Sequence, residues 1–353
     1  NGLNSTIENM TNKGLVAGLG ANAAYVGGVI GLNGAASLPT VQVSANRIEG
    51  VHFVGGVIGA NLPANEFKFV NAGGAAANAA TIGTGRIVAD GVAGGMIGYN
   101  RVVNADTLKN ALQNKNGTIA ADLQTLLPKF SSGNALVEPA LNPSGSAITL
   151  TGLSNQFNIY ANAYVGGIIG YNAADTALTL ENASNGNQSQ AQSYGGLALS
   201  PRADAANGGA YRLDGGVSLG ELDPDHNGYF AGGIIGCTTA KTTLNHCTNY
   251  GGVQHPVAAG GLTGVNNGTI TDGRMVNSMG SQQEGYRYLG GIAGSNTGTI
   301  TNSAPAGWTS AAWPVITVNP ALLRWKTPAA MSTASPPPAV WQAITWAPSP
   351  PGA

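Results

Sequence analysis

"YVGGVIGLNG" spans Tyr25 to Gly34, and close copies return as "FVGGVIGANL" from Phe53, "VAGGMIGYNR" from Val92 and "YVGGIIGYNA" from Tyr164. Aligned on the glycine pair, the phrase recurs seven times, at Gly27-Gly28, Gly55-Gly56, Gly94-Gly95, Gly166-Gly167, Gly232-Gly233, Gly260-Gly261 and Gly290-Gly291. Three of the intervals are 28, 28 and 30 residues; the others, 39, 72 and 66, read as one unit with an insertion and two in which a coil is degenerate or interrupted. "YGGLA" at Tyr194 is a candidate worn copy.

A second phrase lies between these anchors: "STIENMTNKG" from Ser5, "TTLNHCTNYG" from Thr242, "GTITDGRMVNS" from Gly268 and "GTITNSAPAG" from Gly298. The short runs are rich in Val, Ile, Thr and Tyr, are cut every few residues by Asn-Gly or Gly-Gly, and show no helical periodicity, which is the signature of strands and turns. A period near 28 residues holding two or three strands, with neighbouring units alike, predicts an all-β, right-handed parallel β-solenoid in which each unit is one coil stacked on the last. Stacked strands lie roughly 4.8 Å apart, so every position repeats above itself. Like charges in such a column repel, whereas Val and Ile stack into a dry interior and asparagines hydrogen-bond to their copies.

Only 9% of the 353 residues are charged, and 54 are glycine, as this geometry demands. Within the phrase, the glycines serve corners, through a positive φ or a close backbone approach, and the asparagines Asn33, Asn61, Asn100, Asn172, Asn266 and Asn296 open the next turn in a left-handed conformation. Thr238 stands where the seventh asparagine is expected and puts that turn in doubt. The glycine-rich string lacks both GxxxxGK[ST] and a GxGxxG leading into a helix, so it does not read as a phosphate cradle.

The balance of 15 Lys+Arg against 16 Asp+Glu gives a net charge of −1, with no field to draw nucleic acid or an anionic membrane. No apolar run reaches the roughly 18 to 20 residues that span a bilayer, so no membrane insertion is expected. The chain opens on Asn1 with no apolar leader and reads as a mature or excised fragment of something larger. Cys237 and Cys247, ten apart, allow either a disulfide in an exported protein or two small buried thiols.

The stretches "LGGIAGSNTGTITNS" (Leu289 to Ser303) and "AGGLTGVNNGTITD" (Ala259 to Asp272) closely resemble the GLUG-motif repeat of bacterial secreted and surface proteins. The resemblance is discontinuous from residue 1 to about 303 and strongest over 228–303. It implies an extracellular or cell-surface location and an adhesin-like stalk or an accessory region beside a protease, such as the IgA-specific metalloproteases. No HExxH occurs, so no proteolytic role passes to any residue here.

Four segments follow: solenoid over 1–103, a partly helical insertion over 104–148, solenoid over 149–303, and a Trp/Pro-rich tail over 304–353. In the insertion, Leu108, Ala111 and Leu112, then Ile119, Leu123, Leu126 and Leu127, fall at helical spacing, with Asn104 or Asp106 as cap. "NGTI" from Asn116 matches the strand phrase inside it. Beyond Ser303 lie all five tryptophans and ten of the 18 prolines. That tail reads as a cap, as a segment that adds a strand to a neighbouring molecule, or as the product of a frameshift.

Polar chemistry concentrates at Arg202, Asp204, Arg212, Asp214, Glu221, Asp223, Asp225 and His226. Solvated loop charges explain the group; the alternative is a carbohydrate-active enzyme, lyase or hydrolase, working through paired carboxylates. Within it "DPDHNG" offers Asp223, Asp225 and Asn227 in calcium-loop order, although Ile234 stands where the closing glutamate belongs. No other cofactor is expected. The leading expectation is a non-enzymatic structural or adhesive segment that self-associates through its solenoid ends or tail, or binds a host or glycan surface. A threonine array for an ice or crystal surface is disfavoured, because Thr242, Thr243, Thr269 and Thr299 show no regular TxT ladder in the sequence.

Overall fold

A computed structural model describes residues 10–18, 25–70, 79–82, 85–112, 126–130, 136–141, 145–161, 163–186, 197–198, 212–213, 217–218, 230–255, 258–276, 283–285 and 288–305. All lie in one compact unit, Asn1–Thr317. The tail beyond Pro305, "NGTI" and the second run of helical spacing up to Leu123 fall outside the described residues.

The chain is an all-β parallel solenoid. One coil illustrates the rest: Gln42–Val43, Arg47–Gly50, Phe53–Gly55, Ile58–Asn61 and Lys68–Val70 follow one another, and each pairs in parallel with its counterpart one coil away. Seven coils and the opening strand of an eighth, Ala304–Pro305, build a first sheet of eight strands and second, third and fourth sheets of seven each. A fifth sheet of five strands (Ala147–Thr151, Ala177–Glu181, Thr242–Asn245, Thr269–Thr271 and Thr299–Thr301) closes the later coils, and Ser37–Pro39 pairs with Lys68–Val70 in the first two. The full coils thus carry five short strands where the sequence pattern suggested two or three. Two-residue strands are too short to leave an alternating pattern.

The seven glycine pairs fix the register. Gly27, Gly55, Gly94, Gly166, Gly232, Gly260 and Gly290 face one another in a single column of the third sheet. Neither glycine of any pair takes a positive φ; close approach is the reason for both. A Cβ on Gly27 would lie 1.9 Å from the Ile30 carbonyl oxygen of its own coil, where the third strand bends into the fourth. A Cβ on Gly95 would lie 1.9 Å from Gly167 O of the next coil and 2.5 Å from Asn155 Cγ across the interior.

Both long intervals are single interrupted coils. The 72-residue interval departs between the fourth-sheet strand Ile97–Asn100 and the fifth-sheet strand Ala147–Thr151. The 66-residue interval departs between the second-sheet strand Leu197–Ala198 and the third-sheet strand Phe230–Gly232. Leu197 pairs with Ile159 and Val253, which puts the Leu197–Ala198 end of "YGGLA" in the second sheet, one corner before the glycine column; Tyr194 to Gly196 lie outside the described residues.

The interior is a column of like residues on like. Ile30, Ile58, Ile97, Ile169 and Ile235 stack in the fourth sheet and are buried. Above the outer side of the third and fourth sheets a second apolar cluster gathers Phe53, Tyr99, Tyr164 and the insertion's Leu108, Leu126 and Leu127. The insertion's helix, Ala105–Leu112, begins where Asn104 Oδ1 accepts from Asp106 N (2.9 Å) and Thr107 N (3.4 Å).

Gly95→Ala is expected to lower the unfolding free energy by at least ~3 kcal/mol, because backbone on both sides must give way. Gly14→Ala, whose Cβ would meet nothing closer than 3.5 Å, should stay within about 0.5 kcal/mol of the parent. Urea unfolding followed by circular dichroism compares the two.

Candidate functional site

The asparagines of the phrase end the fourth-sheet strands and turn inward. Asn33, Asn61, Asn100, Asn172 and Asn266 are fully buried. Asn33 Nδ2 donates to Asn61 Oδ1 (2.8 Å), Asn61 Nδ2 to Asn100 Oδ1 (2.9 Å), Asn100 Nδ2 to Asn172 Oδ1 (2.8 Å) and Asn266 Nδ2 to Asn296 Oδ1 (2.7 Å). The same amides bind the following turn, as in Asn33 Nδ2 to Ala35 O (3.1 Å) and Gly268 N to Asn266 Oδ1 (3.2 Å). None has a positive φ, which corrects the expected left-handed turn. They hold the corner with their side chains instead. Thr238 does not lose its turn: its hydroxyl donates to Asn266 Oδ1 (2.8 Å) and accepts from Asn267 N (2.9 Å) and Gly268 N (3.2 Å).

The sequence reading missed a second polar ladder in the first sheet. Thr81 Oγ1 donates to Asn155 Oδ1 (2.5 Å), Asn155 Nδ2 to Asn185 Oδ1 (2.8 Å) and Asn185 Nδ2 to Asn249 Oδ1 (2.8 Å). The second glycine of the pair makes room for these amides from across the coil. Left-handed backbone occurs at another corner, after the fifth-sheet strands, where Gly152 (φ 66), Asn182 (φ 53), His246 (φ 51), Asp272 (φ 52) and Asn302 (φ 50) stack. These are the residue types that tolerate it.

Two outward features remain as candidate sites. The first is the fifth-sheet face. Thr149, Thr179, Thr243, Thr269 and Thr299 stand in direct register, and beside them Thr151, Glu181, Asn245, Thr271 and Thr301 do the same. All are half-buried or exposed, while the alternate positions Leu150, Leu180, Leu244 and Ile270 are buried. The threonine ladder judged absent from the sequence is therefore present. Thr242 is not part of it; it faces inward and its hydroxyl meets Thr239 Oγ1 at 3.0 Å.

The second is the aromatic column beneath the insertion. Tyr25 stacks on Phe53 (5.6 Å, 8°), Tyr99 on Tyr171 (6.2 Å, 7°), and Tyr164 packs edge-on against Tyr171 (4.9 Å) and Phe230 (5.8 Å). At its rim Arg101 donates through Nε (3.1 Å) and Nη2 (2.6 Å) to Asp175 Oδ2, and Glu138 accepts from Ala174 N (3.1 Å). Burial holds the hydroxyls of Tyr99 and Tyr171 well above the usual phenol range. Burial works against the Arg101 cation, but the hydrogen bonds to Asp175 together with the electrostatic attraction of Tyr99, Asp175 and Glu138 outweigh it and leave the guanidinium more basic than usual. Glu138 docks the returning segment of the insertion, and the Arg101–Asp175 pair joins two coils beside it.

Cys237 and Cys247 are free, which corrects the disulfide alternative. Cys237 lies with the outer aromatic cluster and Cys247 in the solenoid interior. Burial pushes both thiols up to about 12. Asp223, Asp225 and Asn227, and with them Arg202, Asp204, Asp214, Glu221 and His226, lie outside the described residues; Arg212 falls in a short antiparallel hairpin, Arg212–Leu213 with Val217–Ser218. Among the described residues no three His, Cys, Asp or Glu side chains gather to hold a metal, and no helix is long and apolar enough to cross a membrane. Comparison with protein-family models, with curated proteins and with solved structures returned no match.

Asn100→Ala strips a partner from both Asn61 and Asn172 and is expected to cost roughly 2–4 kcal/mol. Asn100→Thr, the exchange that occurs naturally at Thr238, should cost less; urea midpoints decide. In the folded chain neither thiol should react with an aromatic disulfide reagent at neutral pH, and two should appear in denaturant. Because the folded thiols bind their protons more tightly than unfolded ones, their contribution to stability is complete below about pH 9 and is lost as pH rises to about 12. Cys247→Ala should flatten that alkaline decline in the urea midpoint.

Proposed function

We propose that this chain is a structural and adhesive segment of a bacterial cell-surface or secreted protein, assembling with copies of itself or seating on a host or glycan surface. The observation that carries the reading is the register of the stack, in which each coil repeats the hydrogen-bonding edge of the one before. Such an edge favours addition of further coils, from the same chain or another. The resemblance of Ala259–Asp272 and Leu289–Ser303 to the GLUG motif supports export and display.

The side-chain economy fits this role. Polar groups are spent on ladders that join coil to coil, Arg101 pairs with Asp175 across two coils, and Glu138 ties the insertion to the Ala174 N–H. An outer surface that is regular and, among the described residues, sparsely charged suits contact with something equally regular, or with many weak sites at once.

Negative-stain microscopy and sedimentation of the full chain from low to high concentration should show fibres or ordered oligomers. Glycan arrays and epithelial-cell binding should show attachment of a displayed copy. A chain that stays strictly monomeric throughout and attaches to no glycan or cell removes this reading.

A further inference from the structure

We infer that the threonine face of the fifth sheet binds a crystalline water surface, that is, ice. The inference goes beyond the structural and adhesive reading, and neither depends on the other.

The face is a two-dimensional array. Its first column, Thr149, Thr179, Thr243, Thr269 and Thr299, is threonine at all five rungs, and its second column adds Thr151, Thr271 and Thr301. Strand stacking spaces the rungs ~4.8 Å apart, and two residues along an extended strand separate the columns by roughly 6.6 Å. In a strand a β-branched threonine is stiff at χ1, so neighbouring rungs offer hydroxyl and methyl in a regular order. Beneath them Leu150, Leu180, Leu244 and Ile270 fill the interior, and Asn185 donates to Asn249 in the adjoining first sheet. The array is built on a packed core.

The chemistry of the array selects its ligand. A charged polymer would need charged partners, yet Glu181 alone of the ten positions bears a charge, and it accepts from Asn245 Nδ2 (3.4 Å). A sugar ring is held best on an aromatic platform, and the chain's aromatic stack sits instead on the third and fourth sheets. What the face does offer is a fixed translation of groups that each donate and accept one hydrogen bond beside a methyl. The matching surface is one whose own donors and acceptors repeat by translation. Solid water has that property. Each hydroxyl alone contributes little against bulk water, so recognition arises from many rungs engaging together.

The test uses the purified full chain. It should shape ice crystals into facets, hold their growth below the melting point, and be taken up into a slowly growing ice front. Thr243→Lys and Thr269→Lys, both on half-buried rungs of the first column, should each reduce uptake at least several-fold with circular dichroism and melting unchanged. Gln42→Lys, on the exposed side of the first sheet, should leave uptake intact. Exclusion of the parent chain from ice to the same degree as an inert bystander protein overturns the inference. So does retention on crystalline cellulose or chitin that depends on Thr243 without any effect on ice.

Discussion

The distance between stacked backbones at the glycine pair governs the rest of the molecule. A Cβ at the second glycine would sit about 2 Å from the carbonyl oxygen of the coil beyond, at Gly28, Gly56, Gly95, Gly167, Gly233 and Gly261 alike. With hydrogen alone at that position, Gly56 N reaches Gly94 O and Gly95 N reaches Gly166 O at 3.1 Å, and the third sheet runs unbroken into the fourth. Everything that depends on vertical register follows from that closure. The isoleucine column meets like with like, and amides one coil apart come within hydrogen-bonding distance.

The two asparagine ladders are the polar complement of this packing. A buried amide with no partner costs more than a hydrogen bond returns, so an isolated Asn in this interior would be a liability. Repetition removes the liability wherever the next coil also carries asparagine, because Nδ2 finds the Oδ1 of that copy while the same amide also binds the local turn. The arrangement tolerates variation only where the substitute serves the same bonds. Thr238 does so by accepting two backbone N–H groups and donating to Asn266, while Asn172 Nδ2 turns to Thr176 O at 2.9 Å. At Met275 the first-sheet ladder meets a thioether, a weak acceptor, 3.0 Å from Asn249 Nδ2.

The parts of this fold that were legible in the sequence are those with constant spacing from the glycine pair. Gly-Gly and the apolar pair lie within a few residues of each other in every copy, and the asparagine in six of the seven, so their column was visible. The threonine column was hidden because the turn ahead of it varies. Thr269 and Thr299 follow their asparagines by three residues, Thr179 by seven and Thr149 by forty-nine, so alignment on glycine scatters residues that the sheet brings into line. The first-sheet ladder had a signal in "LSN", "ASN" and "CTN" (Leu153–Asn155, Ala183–Asn185 and Cys247–Asn249), a small residue followed by asparagine just past each fifth strand. Strands of two residues gave that signal no periodicity to stand on. The choice between a left-handed corner and a close approach was never a sequence question, since glycine satisfies both.

The insertion shows how a repetitive stack acquires a distinct side. It leaves after Asn100, at the same corner where other coils make a turn of a few residues, and returns at Ala147 without disturbing the pairing of Ile97 with Ile169 or of Thr149 with Thr179. What it covers is decided by the outward residues it meets: Phe53, Tyr99 and Tyr164 form an apolar strip that water would otherwise wet, and Leu108, Leu126 and Leu127 cover it. Polar contacts at the junction add to this apolar seal. Arg101 at the departure point reaches one coil across to Asp175, and Glu138 from the returning segment takes the Ala174 N–H beside it. The Arg101 guanidinium is buried at this junction, and the apolar seal tolerates it because its charge is satisfied through Asp175. The fifth-sheet face lies beyond the insertion's return, so the same device that buries the aromatic strip leaves the threonine columns continuous from Thr149 to Thr299.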